Sequence, residues 1–165
     1  MEPMSAAAVF NLQTVLSLVV FFVIAKWVVM PWLLTLGPND ALVPLLLYSA
    51  IRFTGTSFMV PSLTNGLPVE FAVTAGYGDL AVGLLALLAA IVLKMGLPFG
   101  TILAWAYAVA GALDFINAGR IASANDIPNH IGSLWPMMAV AGPSWMITIV
   151  FIIRLLIWPA PAKRA

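Results

Sequence analysis

Ala75-Gly76-Tyr77-Gly78-Asp79-Leu80-Ala81-Val82-Gly83 and Ala110-Gly111-Ala112-Leu113-Asp114-Phe115-Ile116-Asn117-Ala118-Gly119 decide the reading of this chain. Each sets one aspartate inside a long apolar run, with Ala-Gly before the acid and a glycine or alanine four residues after it. The two aspartates stand 35 residues apart. An ionisable residue at membrane depth is costly and marks a functional-site hypothesis that needs a partner. The partner nearest in register is Arg52, in the preceding apolar segment.

The composition around these runs belongs to a bilayer protein. Of 165 residues, 63% are hydrophobic and 8% charged, and the mean hydropathy is +1.08. A soluble domain carries roughly 25% charge, so too few polar side chains are present to coat a water-facing surface. A net charge of +1 argues against a nucleic-acid partner. The chain has no cysteine, which excludes disulfides, thiolate nucleophiles and thiolate metal sites and leaves the redox compartment unread. One histidine, His130, rules out bis-histidine haem ligation within one chain, and no metal site is expected.

A hydrocarbon core about 30 Å thick needs about 20 apolar residues at helical rise. Five runs qualify, over about 9–30, 41–60, 70–93, 97–121 and 133–158, the first two closed by Pro31 and Pro61. The expected fold is all-α, one integral membrane bundle of five transmembrane helices over 1–165. The first run is too long for a signal peptide and lacks a positive n-region, so it reads as a retained helix. Lys26, Lys94, Arg154, Lys163 and Arg164 fall at one face and only Arg120 near the other. Positive-inside bias then gives N-terminus out and C-terminus in. Trp27, Trp32 and Trp158 accompany the basic face as interfacial anchors. The expected location is a multi-pass position in a bacterial inner membrane.

In this topology Arg52, Asp79 and Asp114 lie at similar depth, slightly outside the midplane. Asn11, Gln13, Glu70, Asn117, Arg120, Asn125, Asp126 and His130 share that outer half, whereas Leu80 to Leu93 has no polar side chain. Helical spacing puts Ala72, Gly76, Asp79, Gly83, Ala86 and Ala90 on one face. It does the same for Tyr107, Gly111, Asp114, Asn117 and Ala118, and for Tyr48, Ser49, Arg52, Gly55 and Thr56. Small residues allow close helix approach in lipid, so the three faces are expected to meet. Two carboxylates against one arginine leave a negative charge over. Either Arg120 joins them or one aspartate holds a proton and can act as a general acid.

Plainer readings stand beside these. The three ions could simply fix helix register. Gly76-Tyr77-Gly78 has no preceding strand and no following Lys-Ser/Thr, so it reads as close packing, not a phosphate loop. Tyr77 and Tyr107 read as core aromatics or lid residues, His130 as a loop residue, and Pro98 as a first-turn proline. Pro136 and Pro143 could kink the last helix and open a gap there.

Leu67-Pro68-Val69-Glu70-Phe71-Ala72-Val73-Thr74-Ala75-Gly76-Tyr77-Gly78-Asp79, with Arg52 upstream and Leu113-Asp114-Phe115-Ile116-Asn117-Ala118 downstream, resembles a group of small bacterial polytopic membrane proteins. Their shared motif is Pro-x-x-Phe-Ala-x-x-Ala-Gly-x-Gly-Asp, and the resemblance covers about half the chain. It implies the topology and the choice of Arg52, Asp79 and Asp114, and it implies no activity. A weaker resemblance is to small carotenoid-cyclase subunits, which carry two adjacent acids where Pro68-Val69-Glu70 has one.

The expectation is a membrane protein with an outward-facing polar pocket for a small or lipidic ligand. Arg52, Asp79, Asp114, Asn117, Arg120, Tyr107 and Glu70 are the candidate binding residues. Asp79 and Asp114 are the catalytic candidates if the protein turns its ligand over. No cofactor is named. A homo-oligomer or a larger membrane complex would supply partners. The alternatives are an isomerase or cyclase of a lipophilic substrate with an aspartate general acid, a proton-coupled carrier or channel, and a structural subunit.

Overall fold

The computed structural model describes residues 4–157, with residues 138–142 and 157 described by backbone alone. Trp158, Lys163 and Arg164 lie outside the described residues. Among those residues the chain is all helix and turn. Four helical stretches are long and apolar enough to cross a membrane: Ala6–Leu34, Pro38–Met59, Val69–Lys94 and Gly100–Ala124. These mark a multi-pass membrane protein. A further helix runs over Met138–Ile157 and carries a shorter apolar stretch, Pro143–Leu156.

The elements are α1 (Ala6–Ile24), α2 (Met30–Leu34), α3 (Pro38–Ala50), α4 (Val69–Lys94), α5 (Gly100–Ala124), α6 (Ile127–His130) and α7 (Met138–Ile157). Ser5 caps α1, its hydroxyl accepting from the Ala8 amide at 3.2 Å. Pro31 does not close the first span as its position predicts. A π-turn over Ala25–Val29 precedes it, with the Met30 amide donating to the Ala25 carbonyl, and the helix continues to Leu34. A proline ring crowds the carbonyl four residues back. The wider π-turn is the local adjustment that lets the helix pass it.

The second span also departs from expectation. It is α-helical only to Ala50 and continues as a 3-10 helix over Ile51–Met59. Runs of 3-10 helix beyond three or four residues are uncommon. Three residues per turn align i, i+3 and i+6, so Arg52, Gly55 and Phe58 form the buried line of this segment. Thr56, grouped with Arg52 by α-helical spacing, instead donates its hydroxyl to the Phe53 carbonyl at 2.9 Å. The segment packs closely on α4. A Cβ at Gly83 would lie 2.9 Å from the Ala50 carbonyl oxygen and 3.1 Å from the Phe53 nitrogen.

The chain leaves α4 through a Schellman turn. Gly96 adopts φ 68°, its amide reaching Leu93 O and that of Leu97 reaching Val92 O. Pro98 therefore sits in the turn before α5 and not in its first turn, because α5 starts only at Gly100.

Two cores divide the bundle. One joins Leu33, Leu42, Leu45 and Leu46 to Ala86, Ala89 and Ala90 of α4, Ala104, Tyr107 and Ala108 of α5, and Phe151 of α7. The alanines on α4 and α5 admit close helix approach, which in lipid supplies the packing that hydrophobicity cannot. The other core lies at the opposite end and gathers Phe58, Phe71, Ala72, Ala75, Ile121, Ile127, Ile131 and Leu134. There the loops are tied together. The Asn65 amide donates to the His130 carbonyl at 2.9 Å, and His130 Nδ1 lies 2.9 Å from Asn65 O. Ser133 donates to Leu63 O at 2.7 Å.

α1 stands apart. It has no buried residue and lies along α7, with a touch on α6. Gln13 accepts from Trp135 Nε1 at 2.6 Å, and Phe10 meets the Trp135 ring edge-on.

A candidate ligand cavity above a buried Arg–Asp cluster

The three faces built around Arg52, Asp79 and Asp114 meet. Arg52 Nε donates to Asp79 Oδ1 at 2.7 Å, and Nη2 lies 2.7 Å from the same oxygen. Nη2 also donates to Asp114 Oδ2. The Arg52 side chain is 3% exposed, against 20% for Asp79 and 12% for Asp114. One arginine thus ties the 3-10 segment to both long helices. Breaking such a buried pair by removing one partner leaves an uncompensated charge and is strongly destabilising.

Glycines make room for this cluster. A Cβ at Gly55 would overlap the Asp79 carboxylate, and one at Gly78 would overlap that of Asp114. Gly78 is therefore the place where α5 brings its acid onto α4, and the Gly-x-Gly pair serves close packing. Gly76, its other member, receives the Met59 side chain. Arg52 uses Asp79 Oδ1 and Asp114 Oδ2, which leaves Asp79 Oδ2 and Asp114 Oδ1 without a hydrogen bond among the described residues. Arg52 Nη1 is buried with no hydrogen-bond partner among them and faces Gly111, 3.5 Å from where a Cβ would lie.

Above the cluster lies a cavity of about 500 Å³, within the range of ligand pockets. Its wall comes from α1, the 3-10 segment, α4, α5, α6 and α7. Five aromatic side chains line it: Phe10, Phe58, Phe71, Phe115 and Trp145. Its polar lining is Thr14 with Arg52, Asp79 and Asp114. The Arg52 guanidinium sits 3.9 Å above the Phe115 ring, which stacks at 4.4 Å on Trp145. A cation over an aromatic face is held by the ring quadrupole, so Phe115 and Trp145 fix the guanidinium from α5 and α7.

The other candidates from sequence lie elsewhere. Tyr107 is fully buried and does not line the cavity. Its hydroxyl donates to Ser49 Oγ at 2.6 Å and lies 3.3 Å from Thr148 Oγ1, joining α3, α5 and α7. Ser49 and Thr148 donate in turn to Leu45 O and Ser144 O, both at 2.9 Å. Arg120 is exposed and donates to Asn117 Oδ1 at 3.3 Å, and among the described residues it forms no ion pair with Asp114. Glu70 is exposed in the first turn of α4 and is not part of the lining. The aromatic and α1 lining residues escaped the sequence reading, because an apolar side chain in an apolar helix carries no chemical signal. Among the described residues no group of three or more His, Cys, Asp or Glu could hold a metal ion.

Fold and site together define a polytopic helical membrane protein with an ion cluster buried under an aromatic-walled cavity. A family model described as Domain of unknown function (DUF8737) matches residues 9–157. The chain belongs to that family. No curated protein and no solved structure matches it.

Proposed function

We propose that this is a five-span membrane protein, N-terminus out and C-terminus in, whose outward-side cavity binds a small or lipidic ligand over the Arg52–Asp79–Asp114 cluster. The observation that carries this reading is the cavity. Apolar walls with a few convergent polar groups are the ordinary form of a small-molecule site. The core of the opposite half is closed: Leu46, Ala86, Ala89, Ala104 and Phe151 are all fully buried. In the five-span arrangement Met138–Ile157 is the last crossing, Lys26, Lys94 and Arg154 mark the inner face, and a bacterial inner membrane is the setting. Arg52 orders the two acids, and the acids meet the ligand. Oligomer or complex partners would cover lipid-facing surface and are not needed for the cavity.

The test is gentle purification from native membrane followed by native mass spectrometry and an absorption spectrum. A bound molecule lost in Asp79→Asn and retained in Lys94→Ala supports the reading. Protein that carries partner subunits and no ligand removes the cavity from function and leaves the cluster as scaffold, and an Asp79→Asn variant that folds normally and still holds the bound molecule overturns the reading as well.

A further inference from the structure

The cavity's charge and its open side define the chemistry of its occupant more narrowly than size does. This inference rests on the ligand-cavity reading above. Arg52 is one cation against the two acids, so the cluster holds one carboxyl group beyond what the arginine neutralises. Among the described residues no other lysine, arginine or histidine lines the cavity. The arginine's own charge is spoken for. It is 3% exposed, bonded to both acids and covered by Phe115. The carboxylates are the more exposed members and both line the cavity, their oxygens not used by Arg52 lying against Gly55 and Gly78. Arg52 Nη1 keeps no partner but is buried against Gly111, so a ligand reaching the polar end meets the more exposed carboxylates first. The remaining wall is largely aromatic and aliphatic, and aromatic faces also favour a cation.

The route to this end runs through the side of the bundle. α1 lies along α7 and touches α6, so it stands across the cavity from α4 and α5 as a separately held wall. On α5, Gly119 lines the cavity and is exposed, and a Cβ there would meet nothing within 4 Å. Gly119 thus brings the cavity lining to the exposed surface of a bilayer-spanning helix.

We infer that the occupant is a cationic amphiphile, a molecule with a protonated amine head and an apolar tail, which enters between α1 and α5 past Gly119 and places its ammonium against the carboxylates of Asp79 and Asp114. The tail lies along Phe10, Phe58 and Phe71.

The experiment uses the full chain in nanodiscs and three probes of equal tail length, dodecylamine, dodecanol and dodecanoic acid, with binding read by native mass spectrometry. The amine is expected to bind at least about tenfold more tightly than the alcohol, as one net charge-assisted contact allows, and the acid most weakly. Asp79→Asn and Asp114→Asn should each reduce the amine's advantage over the alcohol while the alcohol still binds. Gly119→Trp, which adds bulk in open space, should lose all three probes. Should the acid bind best, or the alcohol equal the amine in the unaltered protein, the cationic head is overturned and the cavity stands. If none of the probes binds better to the unaltered protein than to Gly119→Trp, the cavity reading fails with it. The head-group ranking is measured on the unaltered protein, so it survives any variant that does not fold.

Discussion

The two halves of the bundle spend small residues in opposite ways. In the half built on Leu46, Tyr107 and Phe151, the alanines of α4 and α5 are fully or almost fully buried and bring helices into contact. In the half built on Arg52, glycines hold space open for carboxylates, as Gly55 does for Asp79 and Gly78 for Asp114. The first half is closed by shape and the second is held by charge around a cavity. A stripe of small residues thus has no single meaning. What it faces decides whether it closes a core or makes a site.

The contrast breaks most sharply at Arg52. Arg52→Ala leaves two buried carboxylates without their cation and is expected to cost about 3–5 kcal/mol, the range for breaking a buried pair. Thermal unfolding in one mild detergent measures it, and an unchanged midpoint would mean that charge does not hold that half. The counterpart in the shape-closed half is Ala86→Leu. Ala86 is fully buried, and overpacking there is expected to cost about 1–3 kcal/mol by the same measurement. It should leave any bound ligand in place, whereas Arg52→Ala should release it.

Smaller changes sharpen the comparison. Tyr107→Phe removes the hydroxyl that bonds Ser49 while keeping the ring against Phe151 at 5.0 Å. Its expected cost is about 0.5–1.5 kcal/mol, the net worth of one hydrogen bond, with ligand retention unaltered. Loss of ligand in that variant would extend the site into the closed half. Least of all is expected from Lys94→Ala. Its bond to Asp40 at 3.2 Å joins side chains 70% and 60% exposed, and such pairs contribute about 0–1 kcal/mol. A larger drop would mean that the α3–α4 end depends on charge as well.

The ion cluster was legible because charge at membrane depth has few explanations, and three such residues at one depth have fewer. The faces were legible too: Ala72, Gly76, Gly83, Ala86 and Ala90 are all buried. The 3-10 segment was not. Ile51 to Met59 has the apolar content of an α-helix, and only packing against α4 shows that its period is three. Phe58 was therefore missed and Thr56 misplaced. Asn117, Arg120 and Glu70 share the outer half with the cluster, but depth alone does not give direction, and Arg120 turns to Asn117. Of the two tyrosines read together as core aromatics or lid residues, Tyr107 is fully buried and off the cavity it was also expected to line, and Tyr77 is 60% exposed; the partners of the Tyr107 hydroxyl come from two other helices that no spacing connects.

The π-turn before Pro31 has a consequence for insertions and deletions. One extra residue within a helical turn re-phases everything after it, by about 100° in an α-helix. Ahead of Ala25–Val29 the first helix buries nothing, and behind it Leu33 is fully buried. The widened turn takes up one residue locally, so that one continuous rod presents a wall to the cavity ahead of it and brings Leu33 into the core behind it. Losing a single residue there should let the turn close to plain α-helix with Leu33 still in phase and Pro31 crowding the carbonyl four residues back, whereas the same loss within α1 should put α1 and Leu33 about 100° out of phase.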